Sequence, residues 1–384
     1  MSAQRHIALV TGSRADYGLL LWPIRRILEE PSFKLSIMAT GMHLAPEFGM
    51  TVDQITADGF EVAKRIPILD KRDDATAMAD AIGKAVGGFA HAYDELKPDL
   101  VLVLGDRYET FAAAQAAFVK KIPIAHLFGG DVTDGALDDV FRHSISKMAS
   151  IHFPTHADAA RRLRQLGEAE DRIHAVGSTG IDAILRAPQI APSDLEKSLG
   201  HKLGGRYLLV TFHPVTLDAL PSLDQLNELL AALDAIDPAI AIVFTLANAD
   251  SDGRALNATI EAFAKKRPNT FAHVSLGAER YLNLMRRAAA VVGNSSSGLY
   301  EAPSFDVPTV NIGRRQDGRL RASSVIDSPP ERAAIGAAIQ KALALAPQGT
   351  VNPYGDGQAA SRIVAVLKAI PDWSGLVYKR FQDL

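Results

Sequence analysis

Short, uninterrupted apolar runs alternate with longer helical segments along almost the whole chain, and this alternation limits the fold more than any other feature. A run such as Leu100–Leu104, LVLVL, is apolar on both faces, which is typical of a parallel strand covered by helices on both sides of its sheet. The pattern predicts further strands at His6–Val10, Lys34–Ala39, Pro123–Leu127, Ile151–Pro154 and Ile173–Val176, and then at Tyr207–Phe212, Ala241–Leu246, Phe271–Val274, Ala289–Val292 and Thr309–Ile312. It predicts helices between them, among others at Leu20–Glu30, Ala75–Leu96, Glu109–Lys121, Ala157–Leu166, Leu223–Ile236 and Ala278–Ala288. The fold class is therefore α/β, with two Rossmann-like, doubly wound domains in tandem.

The length of the chain supports this division, because 384 residues exceed one domain of roughly 150 residues. The pattern is interrupted at Arg186–Gly205, where prolines and glycines accumulate. We predict an N-terminal domain over 1–190, a C-terminal domain over 204–357, and a final helix and tail over 358–384 that packs back on the N-terminal domain. A cleft between two such domains is the expected ligand site.

Composition excludes several classes of function. Lysine and arginine total 41 against 44 acidic residues, a net charge of −3, so the chain has no basic surplus with which to bind nucleic acid. It has no cysteine, which excludes disulfides, thiolate metal sites and a cysteine nucleophile. The N-terminus does not resemble a signal peptide, and no apolar stretch approaches the roughly 20 residues that span a bilayer. We expect a soluble, cytoplasmic protein that binds no membrane.

Three polar segments follow predicted strands in the N-terminal half. The first, TGSRADYG, combines a small-residue turn with Arg14, whose forked cation suits phosphate; a solvated Arg14 and a helix-capping Asp16 are the alternative. The second places Asp106 and Arg107 where doubly wound folds carry reacting groups, whereas Glu109 can equally be a first-turn acid.

The third polar segment is HLFGGDVTDGALDDVFRHSISKM. In it Asp131 follows a Gly-Gly turn, and Asp139 and His143 lie on one helix face, where a carboxylate and an imidazole make a plausible pair for proton transfer. Asp138 and Arg142 share an adjacent face, on which they can form an ordinary surface ion pair. A metal site at His126 and Asp131 would lack a third ligand, so we expect no metal.

The C-terminal half carries two polar strand ends. His213 follows the first strand of that domain, before a proline. The segment GNSSSGLYEAP then supplies main-chain N–H groups and hydroxyls for a diphosphate and a carboxylate for ribose hydroxyls, at Asn294, Ser295, Ser296 and Glu301. A serine-rich helix cap is the alternative. Downstream, NIGRRQDGR offers three arginines that can neutralise phosphates, namely Arg314, Arg315 and Arg319.

Taken in order, these segments, together with VGSTGID, FHPVT and YGDG, resemble the hydrolysing UDP-N-acetylglucosamine 2-epimerases of sialic-acid synthesis and their relatives of the legionaminic-acid route. The resemblance covers Ile7 to Ile370. It implies a fold like that of glycosyltransferase-B (GT-B) enzymes, a reaction without metal or other cofactor, and a homodimer or homotetramer that binds a UDP-sugar and UDP. It also implies removal of the sugar C2 proton with expulsion of UDP, followed by addition of water to the glycal and release of N-acetylmannosamine.

The same resemblance implies roles for individual residues. The acid/base carboxylates would be Asp106, Asp131 and Asp139, with His213 near the leaving phosphate. Substrate and nucleotide would be bound by Arg14, Arg107, His143, Asn294, Ser295, Ser296, Glu301 and Arg315, and the base by the backbone at His273 and Leu276. One position departs from the family, which commonly has Glu where this chain has the shorter Asp131.

Several alternatives stay open at this point. The sugar can be N-acetylglucosamine or N,N′-diacetylbacillosamine, and the nucleotide UDP or GDP. The sequence does not say which carboxylate is the base and which the acid. A non-hydrolysing epimerase, a GT-B glycosyltransferase and a catalytically silent nucleotide-sugar binder are the competing functions.

Overall fold

Two parallel β-sheets, each of six strands among the described residues, organise the chain. The computed structural model describes residues 4–70, 72, 74–133, 136–215, 220–246, 253–345 and 349–383. It divides into two compact units, the first comprising Met1–Ala183 with Gly355–Leu384 and the second Ile184–Tyr354. The segment that the sequence assigns to the domain boundary contains a helix, Pro192–Leu199, which belongs to the second unit.

The first unit contains strands β1 to β6 and most of the helices before residue 186. Its strands are β1 (Arg5–Thr11), β2 (Phe33–Thr40), β3 (Val62–Ile66), β4 (Leu100–Leu104), β5 (Ile124–Leu127) and β6 (Ile151–Phe153). Its helices are α1 (Arg14–Glu29), α2 (Val52–Ala57), α3 (Ala75–Leu96), α4 (Tyr108–Val119), α5 (Leu137–Met148) and α6 (Ala157–Gln165), while α7 (Thr179–Leu185) crosses into the second unit. The sheet order is β3-β2-β1-β4-β5-β6 and all pairs are parallel.

The second unit begins with α8 (Pro192–Leu199) and has a sheet of the same kind. Its strands are β7 (Tyr207–Thr211), β8 (Ala241–Thr245), β9 (Thr270–His273), β10 (Ala290–Gly293), β11 (Thr309–Ile312) and β12 (Val325–Ser328). Its further helices are α9 (Ser222–Asp234), α10 (Gly253–Lys266), α11 (Gly277–Met285), α12 (Ser297–Tyr300) and α13 (Arg332–Ala344). The parallel order β12-β11-β10-β7-β8-β9 repeats that of the first unit, and both have the strand sequence of a doubly wound Rossmann-like fold.

The apolar runs form the two sheets because both faces of each sheet are covered. Ile7 and Leu9 of β1 pack with α1, whereas Ala8 and Val10, which point the other way, pack with the core between the sheet and α3. All four side chains are at most 3% exposed, and burying each aliphatic one stabilises the fold by about 1.5–3 kcal/mol.

The last helix, α14 (Ala359–Ala369), belongs to the first unit and packs against α1. Its buried Ile363 and Leu367 join the core beneath β1 and β2. Beyond it, Trp373 is buried next to Phe33, and the guanidinium of Arg5 stacks on both rings. The C-terminal residues are therefore part of the hydrophobic core of the first unit.

Two edge strands and one predicted strand differ from the sequence analysis. β3 and β12 were not predicted, because their exposed edge positions carry Lys, Arg and Asp instead of a continuous apolar run. The strand predicted at Ile173–Val176 is wrong: only Ile173 forms an isolated parallel bridge, to His152 at the end of the sheet.

Candidate active site

Most of the predicted site residues follow the strands at which each sheet reverses its order. The reversal lies between β1 and β4 in the first unit and between β7 and β10 in the second. Ligands of doubly wound sheets bind outside the carboxyl ends of the strands at this reversal. Asp106 and Arg107 follow β4, and His213 and Asn294 follow β7 and β10.

The turn after β1 is built around Asp16, which lies in the first turn of α1, three residues after its N-cap Ser13. Its carboxylate accepts hydrogen bonds from the main-chain N–H groups of Gly12 and Ser13, both at 2.8 Å, and from the Thr11 hydroxyl at 3.0 Å. Ser13 and Asp16 form a reciprocal capping box. The Asp16 carboxylate is thus engaged by hydrogen bonds within the turn, while the neighbouring Arg14 is exposed and accessible to an anion.

An ion pair between the half-buried Arg107 and the buried Glu109 lies beneath this turn. The Nε atom of Arg107 donates to Oε1 of Glu109 at 2.6 Å, and Glu109 is fully buried. Burial raises the pKa of the Glu109 carboxyl, and the neighbouring guanidinium opposes that rise. The carboxylate fills the space next to Gly12, where a Cβ atom would come within 2.6 Å of its Cγ. Glu109 is therefore a support for the turn, and Arg107 is held above it.

The three predicted acid/base carboxylates are brought together by Arg142, a residue for which the sequence analysis proposed only a surface ion pair. Arg142 is buried and pairs with Asp106 through NH2 and with Asp139 through NH1, at 3.1 Å for the latter. Its NH1 also donates to the main-chain oxygen of Asp131 at 2.9 Å. The surface-pair interpretation is wrong, since Asp138 is exposed and Arg142 points toward the strand ends.

Asp131 and Asp139 have further partners. Oδ1 of Asp131 lies 2.9 Å from Nε2 of His156, and Thr155 Oγ1 lies 3.3 Å from both carboxylate oxygens. Asp139 accepts from the Thr133 N–H at 2.7 Å and has Nε2 of His143 at 3.5 Å, so the predicted pair on one face of α5 is present. His156 was missed by the sequence analysis, because nothing near it in the chain indicates its carboxylate partner.

His126 holds the adjacent strand ends together. It is fully buried in β5, with Nε2 2.7 Å from the Gly105 carbonyl and Nδ1 3.1 Å from the Ser146 hydroxyl. The carbonyl only accepts, so Nε2 donates to it and Nδ1 accepts from Ser146. Burial lowers the pKa of His126 to about 3, and the ring is neutral. It fixes the residue that precedes Asp106.

In the second unit the ends of β7 and β10 are joined by Asn294. Its Oδ1 accepts from the His213 N–H at 2.7 Å, and its Nδ2 donates to the His213 carbonyl at 2.9 Å. The Asn294 carbonyl accepts from Gln316 at 2.8 Å and from NH1 of Arg315 at 3.2 Å. Asn294 is fully buried and acts as a scaffold, whereas the half-buried His213 and the exposed Arg315 remain accessible.

The serine-rich turn after β10 is compact. Ser295 Oγ accepts from the Ser297 hydroxyl at 3.1 Å, and that hydroxyl is 2.5 Å from the Tyr281 hydroxyl. The helix that the turn opens, α12, has only four residues, and Glu301 directly follows it. Burial raises the pKa of Glu301 to about 7. Ser295 and Ser296 are half-buried.

The two residues predicted to hold the base lie at the end of β9 and just before α11. His273 is half-buried, and its Nε2 is 3.0 Å from Nε2 of His201, whose ring stacks on Phe271. Leu276 is 3% exposed and caps the start of α11. Both belong to the same unit as Asn294, Ser295, Ser296, Glu301 and Arg315.

Within the described ranges, no group of three or more His, Asp or Glu side chains is arranged to hold a metal ion. Likewise, none of the helices in the described part of the chain is both long and apolar enough to cross a bilayer.

Comparisons with known proteins agree with this arrangement. Residues 25–368 match the model of one protein family, UDP-N-acetylglucosamine 2-epimerase. The chain belongs to the UDP-N-acetylglucosamine 2-epimerase family. It is 41% identical over 327 residues, 85% of either chain, to the GDP/UDP-N,N′-diacetylbacillosamine 2-epimerase (hydrolyzing) of Campylobacter jejuni. It is 34% identical to polysialic acid biosynthesis protein P7 of Escherichia coli, over 99% of this chain and 98% of that one.

The family has solved structures that share this fold. One is the UDP-GlcNAc 2-epimerase of Neisseria meningitidis bound to UDP-GlcNAc, with a TM-score of 0.79 and 19% identity, covering 95% of this chain and 100% of that one. The likeness confirms the predicted fold, two Rossmann-like domains of the glycosyltransferase-B type. The family membership likewise confirms the resemblance drawn from the sequence motifs.

Proposed function

We propose that this chain is a hydrolysing nucleotide-sugar 2-epimerase that converts UDP-N-acetylglucosamine and water to N-acetylmannosamine and UDP. The observation that carries the proposal is the gathering of Asp106, Asp131 and Asp139 around the buried Arg142. Family membership supports it, as does the hydrolysing epimerase named for the C. jejuni relative. The E. coli relative's name supports a place in the synthesis of sialic-type acids.

The carboxylates would perform the proton transfers at sugar C2. One removes the C2 proton while the bond from C1 to the diphosphate oxygen breaks, so UDP leaves and a C1–C2 double bond forms. Water then adds its hydroxyl to C1, and a second carboxyl group returns a proton to C2 on the opposite face. Free N-acetylmannosamine results. A carboxylate held within reach of the C2 proton typically accelerates such a proton transfer by 100- to 10,000-fold, provided that its geometry is fixed.

Arg142 has the geometry to fix two of these carboxylates. One guanidinium fork binds those of Asp106 and Asp139 and so sets their separation, and it also holds the main chain of Asp131. Arg107, held by Glu109, and Arg14 on the first turn add cationic groups at the same end of this sheet, and His143 stands beside Asp139. We assign these three to substrate binding.

The second unit would bind the nucleotide. Main-chain N–H groups and hydroxyls at Ser295 and Ser296, with Arg315, suit a diphosphate. Glu301 would accept hydrogen bonds from ribose hydroxyls, and the backbone at His273 and Leu276 would hold the base. His213, fixed by Asn294, would stand at the leaving phosphate.

The proposal is tested by following the products directly. Wild-type protein with UDP-N-acetylglucosamine in heavy water should release free N-acetylmannosamine and UDP, with deuterium at C2. A glycosyltransferase would leave C2 unlabelled and need an acceptor, and a non-hydrolysing epimerase would accumulate no free sugar. Asp106→Asn should lower turnover by about 100-fold or more with UDP affinity within a few-fold, while the exposed neighbour variant Asp138→Asn stays active. An active Asp106→Asn enzyme would remove this residue from the mechanism.

A second candidate substrate is UDP- or GDP-N,N′-diacetylbacillosamine, which carries a 6-methyl and a 4-acetamido group. The C. jejuni relative is named for that sugar. A cavity of about 440 Å³ beside Arg107 and Tyr108 also supplies apolar walls, in part from Met42, Phe48 and Met78. One methyl group in a pocket is worth only about 1–3 kcal/mol, so turnover of the three nucleotide sugars should be compared in parallel.

We also propose that the chain forms a homodimer or homotetramer. Apolar side chains are exposed along α4 and α5, where Phe118, Val119, Leu137 and Val140 are 46% or more exposed. Stacked Phe111 and Phe141 join the two helices between them. A second copy of the chain would cover this face. Light scattering should show an oligomer that Val140→Glu weakens; a monomeric wild type would overturn the proposal.

A further inference from the structure

His156 lies between the site and the start of α6, and its imidazole is engaged at both nitrogens. It is the residue that caps α6: Nδ1 accepts the main-chain N–H of Ala159 at 3.2 Å. On the other side of the ring, Nε2 lies 2.9 Å from Oδ1 of Asp131. The His156 side chain is only 13% exposed, so both contacts are largely shielded from water.

The helix cap determines where the proton of the ring resides. A main-chain N–H can only donate, so Nδ1 must be unprotonated to accept from Ala159. The neutral ring therefore carries its proton on Nε2, and that proton points at the carboxylate of Asp131. A second proton, on Nδ1, would place two donors against each other and break the cap. The fold thus selects a neutral histidine that donates to Asp131.

The remaining groups around Asp131 leave its carboxylate dependent on this contact. Two arginines bind the main chain and not the carboxylate: Arg142 of α5 at the Asp131 carbonyl, 2.9 Å, and Arg162 of α6 at the Gly130 carbonyl, 3.2 Å. The Thr155 hydroxyl approaches both carboxylate oxygens at 3.3 Å, near the limit for a hydrogen bond. Among the contacts described for the carboxylate itself, that of His156 is the shortest.

We propose that His156 is a positioning residue for proton transfer at sugar C2: through its Nε2–H it holds the carboxylate of Asp131 in one orientation, aimed at the substrate. The inference rests on the proposed function and on the role assigned there to Asp131. It extends that role, because Asp131 would act only in the orientation that the cap of α6 imposes.

Two variants separate positioning from helix capping. The variant His156→Asn places an amide oxygen near the position of Nδ1 and is a good N-cap, but its side chain cannot reach Asp131. The variant His156→Gln places an N–H near the position of Nε2, within reach of Asp131, and is a poor N-cap. If His156 only capped the helix, His156→Asn would be active and stable and His156→Gln would be the impaired enzyme.

The positioning role gives the opposite result. His156→Asn should keep the melting temperature of the wild type but lose about 10- to 100-fold in kcat, with the KM for UDP-N-acetylglucosamine and the inhibition constant of UDP nearly unchanged. His156→Gln should melt lower yet recover most of kcat. The variant His91→Asn, at an exposed histidine, serves as the control.

The outcomes also distinguish this inference from the proposed function. If the wild type releases sugar and UDP, Asp131→Asn is inactive, and His156→Asn matches the wild type in kcat, the positioning role is overturned and the epimerase stands. If Asp131→Asn is fully active, the role of Asp131 is wrong and the inference fails with it. A loss of kcat in His156→Asn that His156→Gln restores supports the proposal.

Discussion

Acid should destabilise the first unit through His126, the buried histidine of β5. Its ring is neutral, it donates to the Gly105 carbonyl, and burial holds its pKa at about 3. In the unfolded chain the same ring has a pKa of about 6.5. Because the folded pKa is the lower one, the unfolded state binds the extra proton between these values, and stability falls as pH drops below about 6.5.

The size of the effect follows from the two pKa values of His126. One pH unit inside this window costs up to about 1.4 kcal/mol, and integration from pH 7 to pH 4.5 gives a loss of about 2.5 kcal/mol in the free energy of unfolding. Other groups titrate over the same range, so the contribution must be isolated by a variant. His126→Gln keeps an N–H near the Gly105 carbonyl and does not titrate.

Urea unfolding followed by tryptophan fluorescence provides the assay. Both tryptophans, Trp22 and Trp373, belong to the first unit and report on it. At pH 7 the variant should be less stable than the wild type, and the gap between them should shrink by about 2.5 kcal/mol at pH 4.5. The same change at the exposed His91 should leave its gap constant. If the difference in the free energy of unfolding between the wild type and His126→Gln does not change with pH, the assignment of a neutral, desolvated ring is refuted.

Three further predictions concern a turn, a buried carboxylate and the nucleotide site. Gly293→Ala should destabilise the second unit by several kcal/mol in denaturant unfolding, because φ is +134° and a Cβ would lie 2.0 Å from a main-chain oxygen, whereas Gly336→Ala should not. Lys379→Met should cost about 2 kcal/mol in thermal unfolding, since it removes one charged partner of the fully buried Glu168 while His152 and Lys147 remain, and the stability that the Glu168 carboxylate contributes should be lost as pH falls from about 4.5 toward 2. Calorimetry should find UDP affinity about tenfold weaker at pH 6 than at pH 8, because Glu301, with a pKa of about 7, is then protonated, and Glu301→Gln should lose that dependence.

The sequence predicted the features that depend on local pattern. Strand β4 and helix α3 have the predicted bounds, because an uninterrupted apolar run and a 22-residue amphipathic segment each specify their own structure. Strands at a sheet edge gave no such signal. β3, VAKRI, has a single fully buried side chain, and its pairing with β2 depends on tertiary contacts.

The same distinction applies to the candidate site. Asp106 was identified because it follows a buried strand, a position visible in one segment of sequence. Arg142 was misinterpreted because the sequence analysis paired it with Asp138 on the same helix, whereas its partners are Asp139, three residues before it, and Asp106, which lies 36 residues away after β4. His156 was missed for the same reason, because its partner Asp131 comes close to it only when β5 and β6 pair.

The two units share one topology but carry different residues after the corresponding strand. β4 and β10 occupy the same place in their sheets, and each is completed by a glycine of positive φ, Gly105 and Gly293. The next residue is Asp106 in one unit and its amide counterpart Asn294 in the other. Asn294 is fully buried and saturated by main-chain partners, which suits a rigid frame around a diphosphate turn. Asp106 is partly exposed, and its partner among the described contacts is the guanidinium of Arg142. The role proposed above for Asp106 depends on its carboxylate oxygen, so Asp106→Asn, which makes the first unit resemble the second at this point, should remove that role.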